Sequence, residues 1–162
     1  MQNDFCRVGA PLEVKEARDT IPAIQSLLAT AREYKMPVIY TRFIAGPKRT
    51  RVWYYDPMIA APTFFCWPGH KRYYPDVDKE LHVIDVIDEL KPEPGDYIVD
   101  KYGYSAFHNT NLEDILRANQ VDTIVICGTT TNICCESTAR DAFHKDLNME
   151  MTSDGCSTFD EE

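Results

Sequence analysis

No apolar run in the chain approaches the roughly 18 residues of a membrane span, and the opening stretch MQNDFC has neither the basic nor the apolar region of a secretory signal. Basic charge is scarce. With 17 Lys and Arg against 26 Asp and Glu, the formal net charge is −9, which argues against nucleic acid or an anionic membrane as a partner. The six cysteines include no C-x-x-C pair, so neither a zinc ribbon nor a thioredoxin-type redox pair is expected. Nothing points to secretion, and the cysteines are read as reduced thiols of a cytoplasmic protein. The four histidines (His70, His82, His108 and His144) have no H-x-H or H-x-x-x-H spacing, and no metal or other cofactor is expected. Internal repeats and low-complexity tracts are lacking as well. What remains is 162 residues with 44% hydrophobic content, enough for one domain with its own core over residues 1–162.

The chain alternates between two periodicities. Residues 17–35 carry Ile21, Ile24, Leu27, Leu28 and Ala31 at helical spacing, and Met36-Pro37 stops that helix before VIYTRF (38–43), a β-rich run. VIDVIDEL (83–90) sets Val/Ile pairs among acids at a spacing that fits an amphipathic helix. PEPG (92–95) is a turn, and DYIVDK (96–101) the next strand. A short helix over 111–119 precedes DTIVICG (122–128), a strand apolar enough to be buried on both faces. Residues 131–146 read as helix and 148–154 as a weaker strand. Short strands alternating with helices predict an α/β fold, a three-layer α/β/α sandwich around a mostly parallel, Rossmann-like sheet. Ligands collect at the carboxyl ends of such strands, so Phe43, Lys101 and Gly128 should face one crevice. Residues 46–75 differ: this proline-rich connection holds eight aromatic residues and reads as a substrate lid, an interface element or a loop packed on itself.

In GTTTNICCEST (128–138) two cysteines stand side by side where strand gives way to helix. Cys135, Ala139, Ala142 and Phe143 fall at i, i+4, i+7 and i+8 and define an apolar face, which makes Cys135 a core residue. Cys134 points about 100° away. It lies in the first helical turn, where unpaired N–H groups favour a thiolate and could hold an oxyanion, with Thr131 or Asn132 as N-cap.

GTTTNICCESTARDAF resembles the nucleophile motif of the isochorismatase-like cysteine hydrolases, with the motif's cysteine falling on Cys134. MQNDF (1–5) is similar to that family's opening motif, and VDKYGYSAF (99–107) to the segment bearing its catalytic lysine, here Lys101. The resemblance implies an Asp–Lys–Cys triad. Cys134 attacks a carbonyl carbon, a carboxylate carries the thiol proton to the leaving amine, and Lys101 steadies the thiolate. It further implies a cis peptide at Thr129–Thr130, the backbone amides of Thr130 and Cys134 as oxyanion donors, and an oligomer of like chains. Phe5, Trp53, Tyr104 and Phe107 are candidate walls of the substrate pocket.

Two family features are missing from the sequence. The aspartate of the triad falls just before Met1, at the end of a first strand that the family places in the middle of its sheet, so the chain reads as truncated at both ends and short of its central strand. Asp4 matches the motif's second aspartate, which is not the proton carrier. The Asp-x-His metal element of the nicotinamidases is absent from VIYTRFIAGPKR, which favours the metal-free branch acting on ureidoacrylate, biuret or N-carbamoylsarcosine. The expected activity is therefore hydrolysis of a C–N bond in a small amide, ureido or carbamoyl compound. Arg42, Lys48, Arg49 and Arg51 could pair with a substrate carboxylate or simply form a solvated basic loop. The alternative is a catalytically inactive homologue serving as a binding or scaffold subunit. A redox role for the adjacent cysteines would require a strained disulfide and an unwound helix.

Overall fold

The computed structural model describes residues 1–46 and 63–159. Trp53, Lys48, Arg49 and Arg51 lie outside the described residues. The chain opens with one helical turn, α1 (Asn3–Cys6), followed by a 3-10 turn over Lys15–Arg18 and then α2 (Ile21–Glu33). Pro22 sits in the first turn of α2, where its missing N–H is not needed. The helix ends at Tyr34, ahead of Lys35 with φ 54°.

Two parallel strand pairs follow. β1 (Ile39–Phe43) pairs with β4 (Tyr97–Lys101), Phe43 opposite Lys101. β5 (Thr123–Thr129) pairs with β6 (Asn148–Ser157), with Gly128 opposite Cys156. Between β1 and β4 in sequence lies an antiparallel hairpin, β2 (Lys71–Tyr74) with β3 (Lys79–His82). The helix α3 (Leu112–Ala118) follows β4, and α4 (Glu136–Phe143) follows β5 through a wide π-type turn at Thr131–Cys135. Among the described residues, β1 and β5 each have a strand on one edge alone. The α/β class and the parallel strands agree with the sequence reading, but the sheet is divided into pairs.

Apolar side chains gather in two clusters. One joins Phe5, Cys6, Val14, Ile24, Phe43, Phe65 and Leu90. The other joins Val99, Phe107, Leu112, Leu116 and Ala142. β5 serves both, Ile124 packing on the second and Cys127 on the first. The strand is not buried on both faces along its length as its apolar run suggested, since Val125 is 53% exposed.

Residues 83–90 depart from expectation. Instead of an amphipathic helix they form a turn and bend over 83–85, a single bridge residue at Val86 and a 3-10 turn at Asp88–Leu90. Gln2 and Val86 form an antiparallel bridge, and the Asn3 and Asp4 amides donate to the carbonyls of Asp85 and Val83 at 2.9 and 3.3 Å. Val83, Ile87 and Leu90 are buried all the same: backbone pairing with the chain's first residues satisfies these apolar side chains without helical periodicity. The loop over 46–75 likewise ends in structure that composition concealed, since β2 begins within it.

Arg7, nearly buried, forks onto Glu89 with hydrogen bonds of 2.8 and 2.7 Å. Burial alone would raise the Glu89 carboxyl, but the hydrogen bonds from Arg7, a backbone hydrogen bond and the Arg7 charge together outweigh it and hold the group below its ordinary 4.5. A depressed carboxylate contributes stability that is present above its unfolded pKa and lost as the pH falls through its folded one. We expect urea midpoints to decline below pH 4.5, and E89Q to be less stable at neutral pH with a shallower acid decline. Equal slopes in the two proteins would assign the decline to other carboxylates.

Candidate active site

The carboxyl ends of β1, β4 and β5 meet as their apolar runs imply. Phe43 and Lys101 are register partners, and Lys101 reaches from β4 to the turn after β5. Its ammonium donates to Cys134 Sγ at 3.3 Å, to the Gly103 carbonyl at 3.1 Å and to the Tyr104 carbonyl at 2.9 Å. An ammonium carries three donors, and each has an acceptor here. The Phe43 ring lies 5.3 Å from Nζ and adds a cation–π contact. With 3% of its surface exposed, Lys101 is a buried cation fixed at one place. That is unusual for lysine, and such burial signals a specific task.

Cys135, Ala139 and Ala142 are buried as the helical spacing implied, but Phe143, expected on the same face, is 69% exposed. Cys135 is 6% exposed, whereas Cys134 is partly open. The hydrogen bond with Cys156, and then burial, pushes the Cys135 thiol far up, so it stays protonated. Gly128, with φ 117°, lies within β5 just after its register shift, in a conformation glycine adopts without strain. The Thr129–Thr130 peptide is cis. Thr130 precedes the helical turn, but neither it nor Thr131 or Asn132 caps the turn through a side chain. Asn132 Oδ1 instead accepts from Thr158 Oγ1 at 2.5 Å. The Thr130 carbonyl accepts the Cys135 amide at 3.1 Å, which closes the wide turn around Cys134.

Thr138 supports this turn from one helical turn further on. Its hydroxyl donates to the Cys134 carbonyl at 2.7 Å and accepts the Ala106 amide at 3.0 Å, tying the cysteine's turn to the segment after Lys101. Thr138→Val keeps the shape and removes both bonds. We expect a loss of about 1–3 kcal/mol, because a buried amide is left unpaired, together with slower alkylation of Cys134. Unchanged urea midpoints and labelling rates would show that the bridge is dispensable.

The predicted pocket walls fare unevenly. Tyr104 is 47% exposed and presents its carbonyl to Lys101. Phe5 is a core residue, packed edge-on against Phe65 at 4.9 Å and Phe43 at 6.5 Å between ring centroids, so it supports Phe43 from beneath. Phe107 belongs to the other cluster, with Lys145 over its ring. It borders a surface depression of about 280 Å³ shared with His108, Asn109, Asp141, His144 and Lys145, where neither Cys134 nor Lys101 takes part. Arg42 is held by both oxygens of Asp100, at 2.7 and 3.0 Å. Among the described residues no group of three or more His, Cys, Asp or Glu is arranged to hold a metal ion, and no helix is long and apolar enough to cross a membrane.

Asp4 is fully buried and accepts three hydrogen bonds: from Arg72 Nε at 2.9 Å, Tyr74 Oη at 2.6 Å and the Cys66 amide at 2.9 Å. Burial, then the bond to Asp4, pushes the Tyr74 phenol up, so it remains a donor. Sequence reasoning set Asp4 aside as a proton carrier but missed this role. The signal it passed over was YYPDVD (73–78), a turn sequence that forms the hairpin carrying Arg72 and Tyr74. Met1 and Gln2 are equally placed by their neighbours. A Cβ on Gly128 would lie 3.7 Å from Met1 Cγ, and the Gln2 carboxamide accepts from the Phe43 amide at 2.6 Å and donates to its carbonyl at 3.0 Å.

The description of the isochorismatase domain matches residues 1–162. The chain belongs to the isochorismatase family. Among curated relatives, the ureidoacrylate amidohydrolase of Rhizobium rhizogenes is 34% identical over 166 residues, covering 95% of this chain and 66% of the relative. That of Azorhizobium caulinodans is 49% identical over 156 residues, covering 89% and 67%. The chain thus spans about two thirds of the length of these relatives. Among solved structures, a cysteine hydrolase from Pseudomonas syringae pv. phaseolicola superposes with a TM-score of 0.87 at 36% identity, over 99% of this chain and 70% of that one. The N-carbamoylsarcosine amidase of Thermoplasma acidophilum gives 0.77 at 30% identity, over 97% and 79%. Family membership also accounts for the α/β architecture.

Proposed function

We propose that the protein hydrolyses a C–N bond in a small ureido or carbamoyl compound, through an acyl-enzyme on Cys134. The observation that carries this reading is the 3.3 Å contact between the buried Lys101 ammonium and Cys134 Sγ. A charge-assisted bond of this kind favours sulfur as thiolate, and a thiolate is the attacking form. It adds to the carbonyl carbon of the substrate. The negative oxygen that develops is received by the backbone amides of Thr130 and Cys134. Collapse expels ammonia or an amine, and water then releases the acyl group. The kinship with ureidoacrylate amidohydrolases and with an N-carbamoylsarcosine amidase supports the substrate class.

The thiol proton needs a carrier. Lys101 has no carboxylate among its hydrogen-bonding partners in the described residues, and the oxygens of Asp4 are held by Arg72, Tyr74 and Cys66. The resemblance to the family motif implies an aspartate in this role.

The test is ammonia release from ureidoacrylate, biuret and N-carbamoylsarcosine by the protein from its native source, with the intact mass followed during turnover. Release with a transient acyl adduct on the peptide bearing Cys134 is the expected result. No release from any of the three, with Cys134 alkylated no faster than Cys135, would favour a non-catalytic binding subunit.

A further inference from the structure

A second thiol pair lies directly behind the proposed nucleophile, and the hydrolysis does not use it. Cys156 stands on β6 opposite Gly128, at the level where β5 turns towards Cys134. Its thiol donates to the Ile126 carbonyl at 3.6 Å and interacts with the thiol of Cys135. A further bond joins the same two pieces of chain, from Thr158 just beyond β6 to Asn132 in the turn. Cys127 also borders this stretch of β6: its Cβ lies 3.3 Å from where a Cβ on Gly155 would stand. All six cysteines are free thiols.

We propose that Cys135 and Cys156 form a peroxide-sensitive disulfide site that fastens the turn carrying Cys134 to β6. The mutual interaction of the two thiols and the tie between Thr158 and Asn132 beside them suit a bond between these two. Adjacent Cys134 and Cys135, by contrast, are held apart by helical geometry. The chemistry is also divided between them. Contact with Cys135 draws the Cys156 thiol down to about 7, against its burial. Of the two thiols Cys156 is thus the readier to ionise, while Cys135 is shifted the other way.

The Cys156 thiolate attacks the O–O bond of hydrogen peroxide, giving a sulfenic acid and hydroxide. The sulfur of Cys135 then displaces the sulfenic hydroxyl, which leaves as water with the Cys135 proton. In sum, two thiols are oxidised to one disulfide and one peroxide is reduced to two waters.

The experiment treats the full chain with hydrogen peroxide, blocks the remaining thiols in denaturant and maps tryptic peptides without reduction. The expected product is a cross-link between peptides 118–140 and 146–162, assigned to Cys135 by fragmentation. The chain should lose the mass of two hydrogens and two of its six titratable thiols. The link should vanish in Cys135→Ala and in Cys156→Ala and persist in Cys127→Ala and Cys134→Ala. A link through Cys127 or Cys134 overturns the proposal. So does the absence of any link at a peroxide dose that oxidises Cys134 to its sulfinic acid. The wild-type map needs no variant to fold, and it reads mass alone, so either outcome leaves the acyl-enzyme reading untouched.

Discussion

Cys134→Ala is expected to lower ammonia release by a factor on the order of 10⁴ or more, as loss of a covalent nucleophile does. It should leave the urea midpoint nearly unchanged, because Cys134 is partly open and its thiol fills no part of either apolar cluster. Lys101→Met is the informative companion. Methionine matches much of the stem but supplies no charge, and the Gly103 and Tyr104 carbonyls lose their donor along with Cys134. Turnover should fall by about 10²–10³, the usual effect of removing one preorganised electrostatic contact. Alkylation of Cys134 by iodoacetamide near neutral pH should slow in parallel. A joint fall separates the roles: if turnover drops while alkylation does not, Lys101 acts on the substrate or the proton carrier rather than on the thiolate. If neither changes, the contact between Lys101 and Cys134 has no chemical part. Lys101→Arg should not restore activity, since a planar fork cannot meet three acceptors arranged around one nitrogen.

The second large effect lies in stability. Asp4→Ala is expected to cost about 3–5 kcal/mol, the range for removing one partner of a buried ion pair. Arg72, the Tyr74 hydroxyl and the Cys66 amide all lose their acceptor at once. Arg72 also donates to the Thr63 carbonyl at 2.6 Å, and the Cys66 carbonyl accepts the Ala45 amide at 3.1 Å, so the damage spreads from the first helix to both flanks of the long connection. Asp4→Asn should recover part of the loss, because an amide oxygen can still accept from one or two of these donors. Urea denaturation of the three proteins measures the series. A difference below about 1 kcal/mol between wild type and Asp4→Ala would mean that Asp4 is not a structural hub.

Much of this was open to reading before the structure. Strands β1, β4 and β5 are short apolar runs bounded by turn residues, and such runs carry their own evidence. The division between Cys134 and Cys135 came from helical spacing alone, and the pairing of Lys101 with Cys134 from motif order. What eluded the sequence depends on partners far along the chain. Residues 83–90 have a helical pattern of apolar side chains, yet Gln2, Asn3 and Asp4 offer them backbone hydrogen bonds, and tertiary pairing overrides local periodicity. Phe5 and Phe107 are large apolar residues beside the family motifs, and nothing local distinguishes a pocket wall from a core contact. Asp4 could not reveal its donors, because Arg72 and Tyr74 lie some seventy residues away on a hairpin whose strands are mostly polar.

The open edge of β1 sets a gradient in how its backbone exchanges protons with water. In a parallel pair successive residues turn their N–H and C=O groups to alternate sides. The Ile44 amide and the Val38 carbonyl both bond to β4, so Tyr40 and Arg42 face that strand, while Ile39, Thr41 and Phe43 face the other way. At Phe43 the carboxamide of Gln2 imitates a neighbouring strand, since it takes the N–H and supplies the C=O with a donor. Ile39 and Thr41 have no such substitute among the described residues. Hydrogen–deuterium exchange should therefore run fast at Ile39 and Thr41 and slowly at Tyr40, Arg42 and Phe43. Any extended segment that comes to lie along this edge would be registered first as protection at those two amides.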